Sequence, residues 1–258
     1  MNYVNHFQSF FNRLIHRIVQ VIGSEMKGDR ETTSALLEQK FDYIFFTGNH
    51  KVGRVIMEKA AKHLTPVTLE LGGKNPVFVT KHADLYLAAK RILCCRTFNG
   101  GQQCVSPDFV LVEKEVEEAF FDACRRVQRE CFDNELAQEQ IGHIVDERHF
   151  DTVVKMYEDS ELAIREVILG GRSMFDRNRL FIPPTVLRMD DLTCPLMTEE
   201  LFSPILPVYA VENYMEGVAI CQQREKPLAM YVFSEKQSEV EDIVMATSSG
   251  GVTINNCM

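Results

Sequence analysis

The chain is organised around one stretch, Phe98-Asn99-Gly100-Gly101-Gln102-Gln103-Cys104-Val105-Ser106-Pro107-Asp108. Two glycines precede the cysteine, and glycine permits close backbone approach or a φ above zero. Gln102 and Gln103 can hydrogen-bond a molecule held nearby, and Pro107 prevents a helix from continuing. A thiol in this setting suits the mouth of a cleft. Taken alone, the stretch also fits a small buried cysteine with no catalytic role.

Composition limits the classes of protein that this chain can belong to. With 258 residues, 45% hydrophobic and 25% charged, it has the make-up of a globular protein of one large or two modest domains. A net charge of −9 argues against a nucleic-acid partner, which requires a basic surface. No apolar run approaches the length of a membrane span, and polar residues interrupt residues 7–22, where a signal peptide would lie.

Cysteine and histidine usage points to reduced thiols and no metal. No C-x-x-C spacing occurs, and a chain of this length does not need disulfides for stability. We therefore expect scattered free thiols in a cytoplasmic protein. The seven histidines form no H-E-x-x-H pattern, so no metal site is predicted. The eight cysteines are Cys94, Cys95, Cys104, Cys124, Cys131, Cys194, Cys221 and Cys257.

Alternating apolar and amphipathic segments predict α/β architecture with parallel sheets. Residues 7–18 are predicted to form an amphipathic helix, which would either pack on a sheet or lie on a membrane surface. An edge segment is expected around 182–187. The remaining predicted strands are 18–22, 42–46, 67–71, 77–79, 109–112, 166–169 and 229–233. The predicted helices are 31–39, 50–64, 84–95, 115–132, 146–157, 212–222 and 238–247.

Two features of the N-terminal half are candidates for function. The strand 42–46, the turn at Gly48 and the helix 50–64 together form the usual framework of an anion site, because helix N-terminal N–H groups attract phosphate. No G-x-G-x-x-G occurs, so a structural glycine turn remains an alternative. Glu70 lies in the apolar strand 67–71, where an isolated carboxylate is costly unless it is paired or functional. A structural and a catalytic Glu70 both fit.

Several motifs together resemble the aldehyde dehydrogenase superfamily. They are F-T-G-N-H-K-V-G at 46–53, T-P-V-T-L-E-L-G-G-K-N-P at 65–76, Cys104, and E-E-L-F-S-P at 199–204. Three further stretches are similar to its class 3 branch, which acts on fatty and aromatic aldehydes. These are F-D-Y-I-F-F at 41–46, A-K-H-L-T-P-V at 61–67 and Q-R-E-K-P-L-A at 223–229. The similarity extends from Arg17 to Asn255.

The resemblance implies an aldehyde dehydrogenase-like fold: a partial Rossmann-type cofactor domain at 1–71 and an α/β catalytic domain at 72–258. It implies that Cys104 is the nucleophile and that Glu70 is the base that activates water. The implied cofactor is NAD or NADP, bound at its pyrophosphate by Gly48, Asn49, Val52 and Gly53 and at its nicotinamide end by Glu200 and Phe202. Three residues depart from the family pattern: Asn49 replaces serine, Ser203 replaces glycine, and Gln103 replaces threonine or another small residue.

The activity implied by the resemblance is NAD(P)-dependent oxidation of an aldehyde to a carboxylic acid. Cys104 would form a thiohemiacetal and then a thioester, which divides one difficult step into two easier ones. The expected partners are a small aldehyde and a second subunit in a cytoplasmic homodimer that serves aldehyde and lipid metabolism.

Some family motifs are not found in this sequence. W-N-[YF]-P, which supplies an oxyanion-hole asparagine, K-P-[SA]-E, P-F-G-G and the C-terminal oligomerisation strand are all absent. We therefore expect the central and catalytic part of a class 3 enzyme, truncated at both ends and of low activity by itself. The alternatives are a non-catalytic relative that acts as a subunit or weak nucleotide binder, and a generic nucleotide-binding module. The joint presence of Glu70, Cys104 and Glu200 argues against the last.

Overall fold

The computed structural model describes residues 27–133 and 140–257. The helix predicted at 7–18 and the strand predicted at 18–22 lie outside these residues. The chain forms two compact units. One contains the described residues up to Phe45 together with Arg54–Thr68, and the other contains Phe46–Gly53 and the chain from Leu69 onwards. The functional division predicted between residues 71 and 72 remains a prediction.

Two strands and two helices make up the N-terminal elements. They are α1 (Arg30–Leu36), β1 (Ile44–Gly48), α2 (His50–Ala61) and β2 (Val67–Leu71), and β1 and β2 form a two-stranded sheet. The apolar run 42–46 favours a strand that is buried on both faces, but this expectation is wrong, because Phe45 is 66% exposed. Burial of both faces needs covering layers on each side of a sheet, and among the described residues this sheet has only its two strands.

A seven-stranded sheet is the main structural element of the rest of the chain. Its order is β5-β6-β7-β4-β3-β8-β9, and every pairing is parallel except that of β5 with β6. The strands are β3 (Pro76–Val79), β4 (Phe109–Glu113), β5 (Ile164–Leu169), β6 (Thr185–Met189), β7 (Ile205–Val211), β8 (Ala229–Phe233) and β9 (Gly251–Ile254). The helices are α3 (Leu85–Thr97), α4 (Glu117–Val127), α5 (Glu147–Glu158), α6 (Pro195–Thr198), α7 (Tyr214–Gln222) and α8 (Gln237–Ala246).

The structure differs from the sequence predictions for this part of the chain in three places. The segment predicted as an edge contributes β6, which lies between β5 and β7, so the edge strand on this side is β5. The interior strand β7 was not predicted, and it contains Pro207, a residue that normally argues against an interior strand. The helix predicted at 115–132 is divided into a 3-10 turn (Lys114–Val116), α4 and a π turn (Gln128–Phe132).

Short polar side chains fix where several helices begin. Asp84 accepts a hydrogen bond from the Leu87 N–H at 3.0 Å, and Asp146 accepts one from the His149 N–H at 2.7 Å. Each bond satisfies an N–H group that has no partner within its own helix. The Asp84 cap sets the start of α3, which leads directly into the Cys104 stretch, and the Asp146 cap sets the start of α5.

The core has two halves, which take alternate residues of the central strands. Phe78 and Leu111 belong to one apolar cluster, whereas Val77 and Val110 belong to the other. Successive side chains of a strand point to opposite faces, so both faces of the sheet are covered. The predicted α/β class is therefore confirmed, with a mixed sheet in place of a fully parallel one.

Candidate functional site

The Cys104 loop depends on two glycines, as the sequence predicts. The chain leaves α3 through a 3-10 turn, Phe98–Gly101, in which Gly100 and Gly101 have φ values of 64° and 72°. A side-chain carbon on Gly101 would overlap the backbone carbonyl of Ser203. Glycine is required here both for the positive φ and for the close approach of the segment that carries Glu200.

A buried asparagine holds the backbone of the thiol-bearing loop. The Nδ2 atom of Asn75 donates to the carbonyl oxygens of Cys104 and Ser106, each at 2.9 Å. Its Oδ1 atom accepts from the Ala229 N–H at 3.0 Å. Asn75 thus ties the loop to the start of β8, and it fixes the position of the Cys104 backbone.

A buried ion cluster lies next to this loop. Asp108, which is 2% exposed, pairs with Lys74 Nζ at 2.6 Å and with Arg96 Nη2 at 2.8 Å. Arg96 also donates through Nε to the Ile205 carbonyl oxygen at 2.9 Å. Burial lowers the pKa of Lys74 to about 8, although its pairing with Asp108 opposes that change. A carboxylate shared by two cations meets the requirement that buried charges be paired.

The ion cluster also reaches the segment that contains Glu200. The N–H group of Leu201 lies 3.3 Å and 3.4 Å from the two carboxylate oxygens of Asp108. Lys74 Nζ donates to the Leu196 carbonyl oxygen at 2.7 Å. The cluster therefore holds the residues on both sides of Glu200 against the Cys104 loop.

Glu200 itself lies against the glycine pair that follows Glu70. Its Oε1 atom accepts a hydrogen bond from the Gly73 N–H at 3.1 Å, and a side chain on Gly72 would overlap the carboxylate. Burial raises the pKa of Glu200 to about 7, against the opposing effect of the Gly73 hydrogen bond. The structure therefore brings together three segments that the sequence singled out: 70–73, the Cys104 loop and 199–203.

Phe202 and Ser203 have unusual environments. Phe202 has a φ of 47°, a strained value for a residue with a side chain, and its carbonyl oxygen accepts from His149 Nε2 at 2.8 Å. Its ring contacts the His149 ring edge-on at a centroid distance of 6.2 Å. Ser203 is fully buried, and its Oγ has no hydrogen-bond partner among the described residues.

The two glutamines beside Cys104 differ in role. The sequence shows Gln102 as able to bind a nearby molecule; in the structure its amide donates to the Asn99 and His143 carbonyl oxygens, each at 2.9 Å. It also accepts from the Val145 N–H at 2.9 Å, so it braces one loop against another. Gln103 Oε1 is buried and has no partner within the described part of the chain.

Glu70 is exposed, which corrects the expectation of a buried carboxylate. It is in β2, at the accessible part of the small sheet, and it makes no hydrogen bond or ion pair with another described residue. A free and solvated carboxylate is able to accept a proton from water. Its catalytic role remains a prediction.

The predicted pyrophosphate turn has the local geometry of a capped helix start. Asn49 Oδ1 accepts from the Val52 N–H at 2.9 Å, so the asparagine that replaces serine caps the helix. Gly53 packs closely on β2, since a side-chain carbon there would lie 3.1 Å from Leu71. Gly48 and Val52 are exposed, which leaves the helix N-terminus accessible to an anion.

Sequence reasoning did not assign roles to Asn75, Lys74, Asp108 or Arg96. The first three were visible within the quoted motifs, and Arg96 lies in an apolar helix between Cys95 and Thr97. A charge inside a buried segment needs a partner, so the sequence could have indicated that these charged residues form buried ion pairs. The identity of the partner is set only by packing.

Two further findings concern metals and membranes. Across residues 27–133 and 140–257, no group of three or more His, Cys, Asp or Glu side chains is arranged to hold a metal ion. No helix in the same ranges is both long and apolar enough to cross a bilayer.

Comparisons with known proteins agree with this geometry. The model of the aldehyde dehydrogenase family matches residues 16–258. The chain is 42% identical to mouse aldehyde dehydrogenase family 3 member B1 over 230 residues, which cover 89% of this chain and 48% of that protein. It is 38% identical to the mouse dimeric NADP-preferring aldehyde dehydrogenase, over 90% of this chain and 50% of that protein.

Solved structures are similar as well. The substrate-bound state of AldH from Staphylococcus aureus superposes with a TM-score of 0.84 at 32% identity, and the match covers 97% of this chain and 54% of that one. The chain thus spans about half the length of the curated relatives that it matches.

Proposed function

The chain belongs to the aldehyde dehydrogenase family, and from this membership we propose that the protein oxidises an aldehyde to a carboxylic acid with NAD or NADP. The observation that supports the proposal best is the convergence of the Cys104 loop with Glu200 and the Gly72–Gly73 turn. The Asp108 ion cluster holds these segments in place.

Cys104 would add to the aldehyde carbonyl and form a tetrahedral thiohemiacetal. When bound, the nicotinamide cofactor supplies a hydride acceptor, which the carbonyl carbon needs in order to be oxidised. The product on Cys104 is a thioester. Asn75 supports the thiol by fixing its backbone, and the glycines allow the loop to approach the Glu200 segment.

Glu70 would act after oxidation by removing a proton from the water that attacks the thioester. Its exposure supports this role, since it is free of partners and in contact with solvent. General base assistance contributes about 10²–10⁴-fold to a rate.

The residues also fit a bound dinucleotide. The accessible N-terminus of α2, with Gly48, Asn49, Val52 and Gly53, would hold the pyrophosphate, because helix N–H groups and the helix dipole attract anions. Glu200 and Phe202 would contact the nicotinamide end. The choice between NAD and NADP stays open in the proposal, although one similar protein is described as NADP-preferring.

The finer assignments are proposals too. We propose fatty or aromatic aldehydes as substrates, a part in lipid metabolism, and a homodimer, which the word dimeric in the name of one relative supports. A cytoplasmic site is proposed because all eight cysteines are free thiols, as a reducing compartment favours.

Two substitutions in the full native chain test the mechanism. Cys104→Ser should abolish both NADH formation and ester hydrolysis, whereas Cys94→Ser, at an exposed thiol, should change neither. Glu70→Gln should retain a pre-steady-state burst of NADH and lose steady-state turnover. Undiminished turnover in Cys104→Ser would refute the proposal, and absence of the burst in Glu70→Gln would assign Glu70 to an earlier step.

A further inference from the structure

A cavity of about 270 Å³ lies at the edge of the seven-stranded sheet where β3 and β8 begin. The C-terminal ends of α7 and α8 form another part of its wall. None of its lining residues belongs to the Cys104 loop, residues 98–108, or to the Glu200 segment, residues 199–203. The cavity is therefore separate from the residues proposed to oxidise an aldehyde.

Two cations and no carboxylate line this cavity. The cations are Arg224, which is partly buried, and Lys226, which is exposed. Neither forms an ion pair with another described residue. Helix C-termini attract cations, so the ends of α7 and α8 explain why cations lie at this edge, but they leave both charges without a counter-ion. The cavity therefore carries a positive charge that an anion would neutralise.

Backbone contacts hold the Arg224 guanidinium in place without neutralising it. Arg224 donates to the Met197 carbonyl oxygen and, at 3.3 Å, to the Leu192 carbonyl oxygen. Its guanidinium carbon lies 4.8 Å from the centroid of the Phe109 ring. Burial lowers the pKa of Arg224, as expected for a cation that has no anionic partner. A guanidinium has five N–H groups, so Arg224 keeps donors for a bound anion.

The other recognition element of the cavity is its apolar wall, which consists of Pro76, Pro227, Met230, Met245 and Ala246. An inorganic anion would leave these side chains in contact with water, whereas a hydrocarbon group would cover them, which is favourable. The volume is slightly below the range of roughly 300–1,000 Å³ that is usual for ligand pockets. The cavity therefore suits a small ligand with one anionic end and one apolar end.

We propose that this cavity binds a small organic carboxylate. Its carboxylate group would lie between Arg224 and Lys226, and its hydrocarbon part would pack on Pro227 and Met230. A guanidinium can bind a carboxylate through two parallel hydrogen bonds, and the lysine adds a second positive charge. The proposal goes beyond the oxidation of aldehydes, because it assigns a ligand to a place that the oxidation does not use.

The position of the cavity places a ligand next to the backbone that supports the catalytic residues. Pro76 directly follows Asn75, which holds the Cys104 loop. Pro227 packs against Gly73, since a side-chain carbon on that glycine would lie 3.3 Å from the Pro227 Cα atom. The Gly73 N–H in turn binds Glu200. A carboxylate in the cavity would therefore contact the prolines that adjoin both segments.

Isothermal titration calorimetry of the full native chain with octanoate tests the proposal. We expect saturable binding, which Lys226→Glu should weaken by about tenfold or more, because the replacement puts a like charge beside the carboxylate. Lys40→Glu is the matched control, since Lys40 is an exposed lysine that does not line the cavity, and it should bind octanoate as the native chain does. Octylamine, which has the same tail and a cationic head, should not bind, and inorganic phosphate should bind more weakly than octanoate.

A second measurement locates the ligand on the native chain. Met245 lines the cavity and is 85% exposed, so hydrogen peroxide should oxidise it readily to the sulfoxide. Saturating octanoate should slow this oxidation and leave that of Met174, an exposed methionine outside the cavity, unchanged. Unaltered oxidation of Met245, equal octanoate affinity in Lys226→Glu, or equal affinity for octylamine or phosphate would each overturn the proposal. No readout depends on NADH formation, so the result is independent of the proposed dehydrogenase activity.

Discussion

Replacement of Glu200 by glutamine should make the protein more stable at alkaline pH and leave its stability unchanged at acidic pH. Burial beside Gly72 and Gly73 raises the pKa of Glu200 from its ordinary value of 4.5 to about 7. Glutamine resembles the neutral carboxylic acid in shape, and its amide oxygen can still accept the hydrogen bond from the Gly73 N–H.

The sign of the effect follows from proton binding. Between pH 4.5 and 7 the folded protein keeps a proton on Glu200 that the unfolded chain has released, so the free energy of unfolding falls as the pH rises. Below pH 4.5 Glu200 is protonated in both the folded and the unfolded state, so it does not change the free energy of unfolding. Above pH 7 it is ionised in both states, and the full cost of burying the charged carboxylate lowers the free energy of unfolding. At about 1.36 kcal/mol for each pH unit, the cost is on the order of 3 kcal/mol.

Urea denaturation at a series of pH values between 4 and 8.5 measures this dependence. The difference between Glu200→Gln and the native protein should grow from near zero at pH 4 to about 3 kcal/mol at pH 8. Glu199→Gln is the matched control, because Glu199 is the exposed neighbour and should give a difference that hardly varies with pH. A Glu200→Gln effect of the same size at every pH would refute the argument from burial.

Substitutions at three further residues test other parts of the site. Asp108→Asn removes the charge shared by Lys74 and Arg96 and should lower the free energy of unfolding by about 3–5 kcal/mol; urea denaturation measures this, and a loss below about 1 kcal/mol would mean that the cluster is not tightly buried. Gly101→Ala places a side chain at a φ of 72° and against a backbone carbonyl, so the loss should exceed the roughly 1–2 kcal/mol of the φ term alone. A stable Gly101→Ala protein with an unchanged alkylation rate at the loop thiol would contradict that geometry. Asn49→Ala should cost about 1 kcal/mol of stability, and Asn49→Asp should restore it; equal thermal midpoints for all three proteins would show that the cap contributes nothing.

Several features of the fold were predictable because they depend on neighbouring residues. Runs of apolar residues predicted β3, β4 and β8 to within one residue at each end. The glycines before Cys104 predicted a backbone that other residues rarely adopt, and Gly100 and Gly101 have that positive φ. The order of the family motifs predicted the fold, and the match to the aldehyde dehydrogenase family confirms it.

Other features depend on which distant segments come into contact, and these the sequence alone could not specify. The N–H of Leu201 and the carboxylate of Asp108 are 93 residues apart, yet that contact positions the Glu200 segment. In the sequence Gln102 resembles a ligand-binding side chain, but in the structure its amide makes three bonds to backbone groups. Phe45 reads as a buried strand residue, but it is largely exposed.

The sequence by itself therefore determined the α/β class, the family, the glycine-dependent loop and the identity of the residues proposed for catalysis. The tertiary structure decided the ion cluster around Asp108, the raised pKa of Glu200 and the bonds of Asn75 to the Cys104 loop. The physical reason is the separation along the chain over which each kind of interaction acts. Backbone preferences and caps act over a few residues, whereas burial and charge pairing depend on the packed neighbours that only the folded chain assembles.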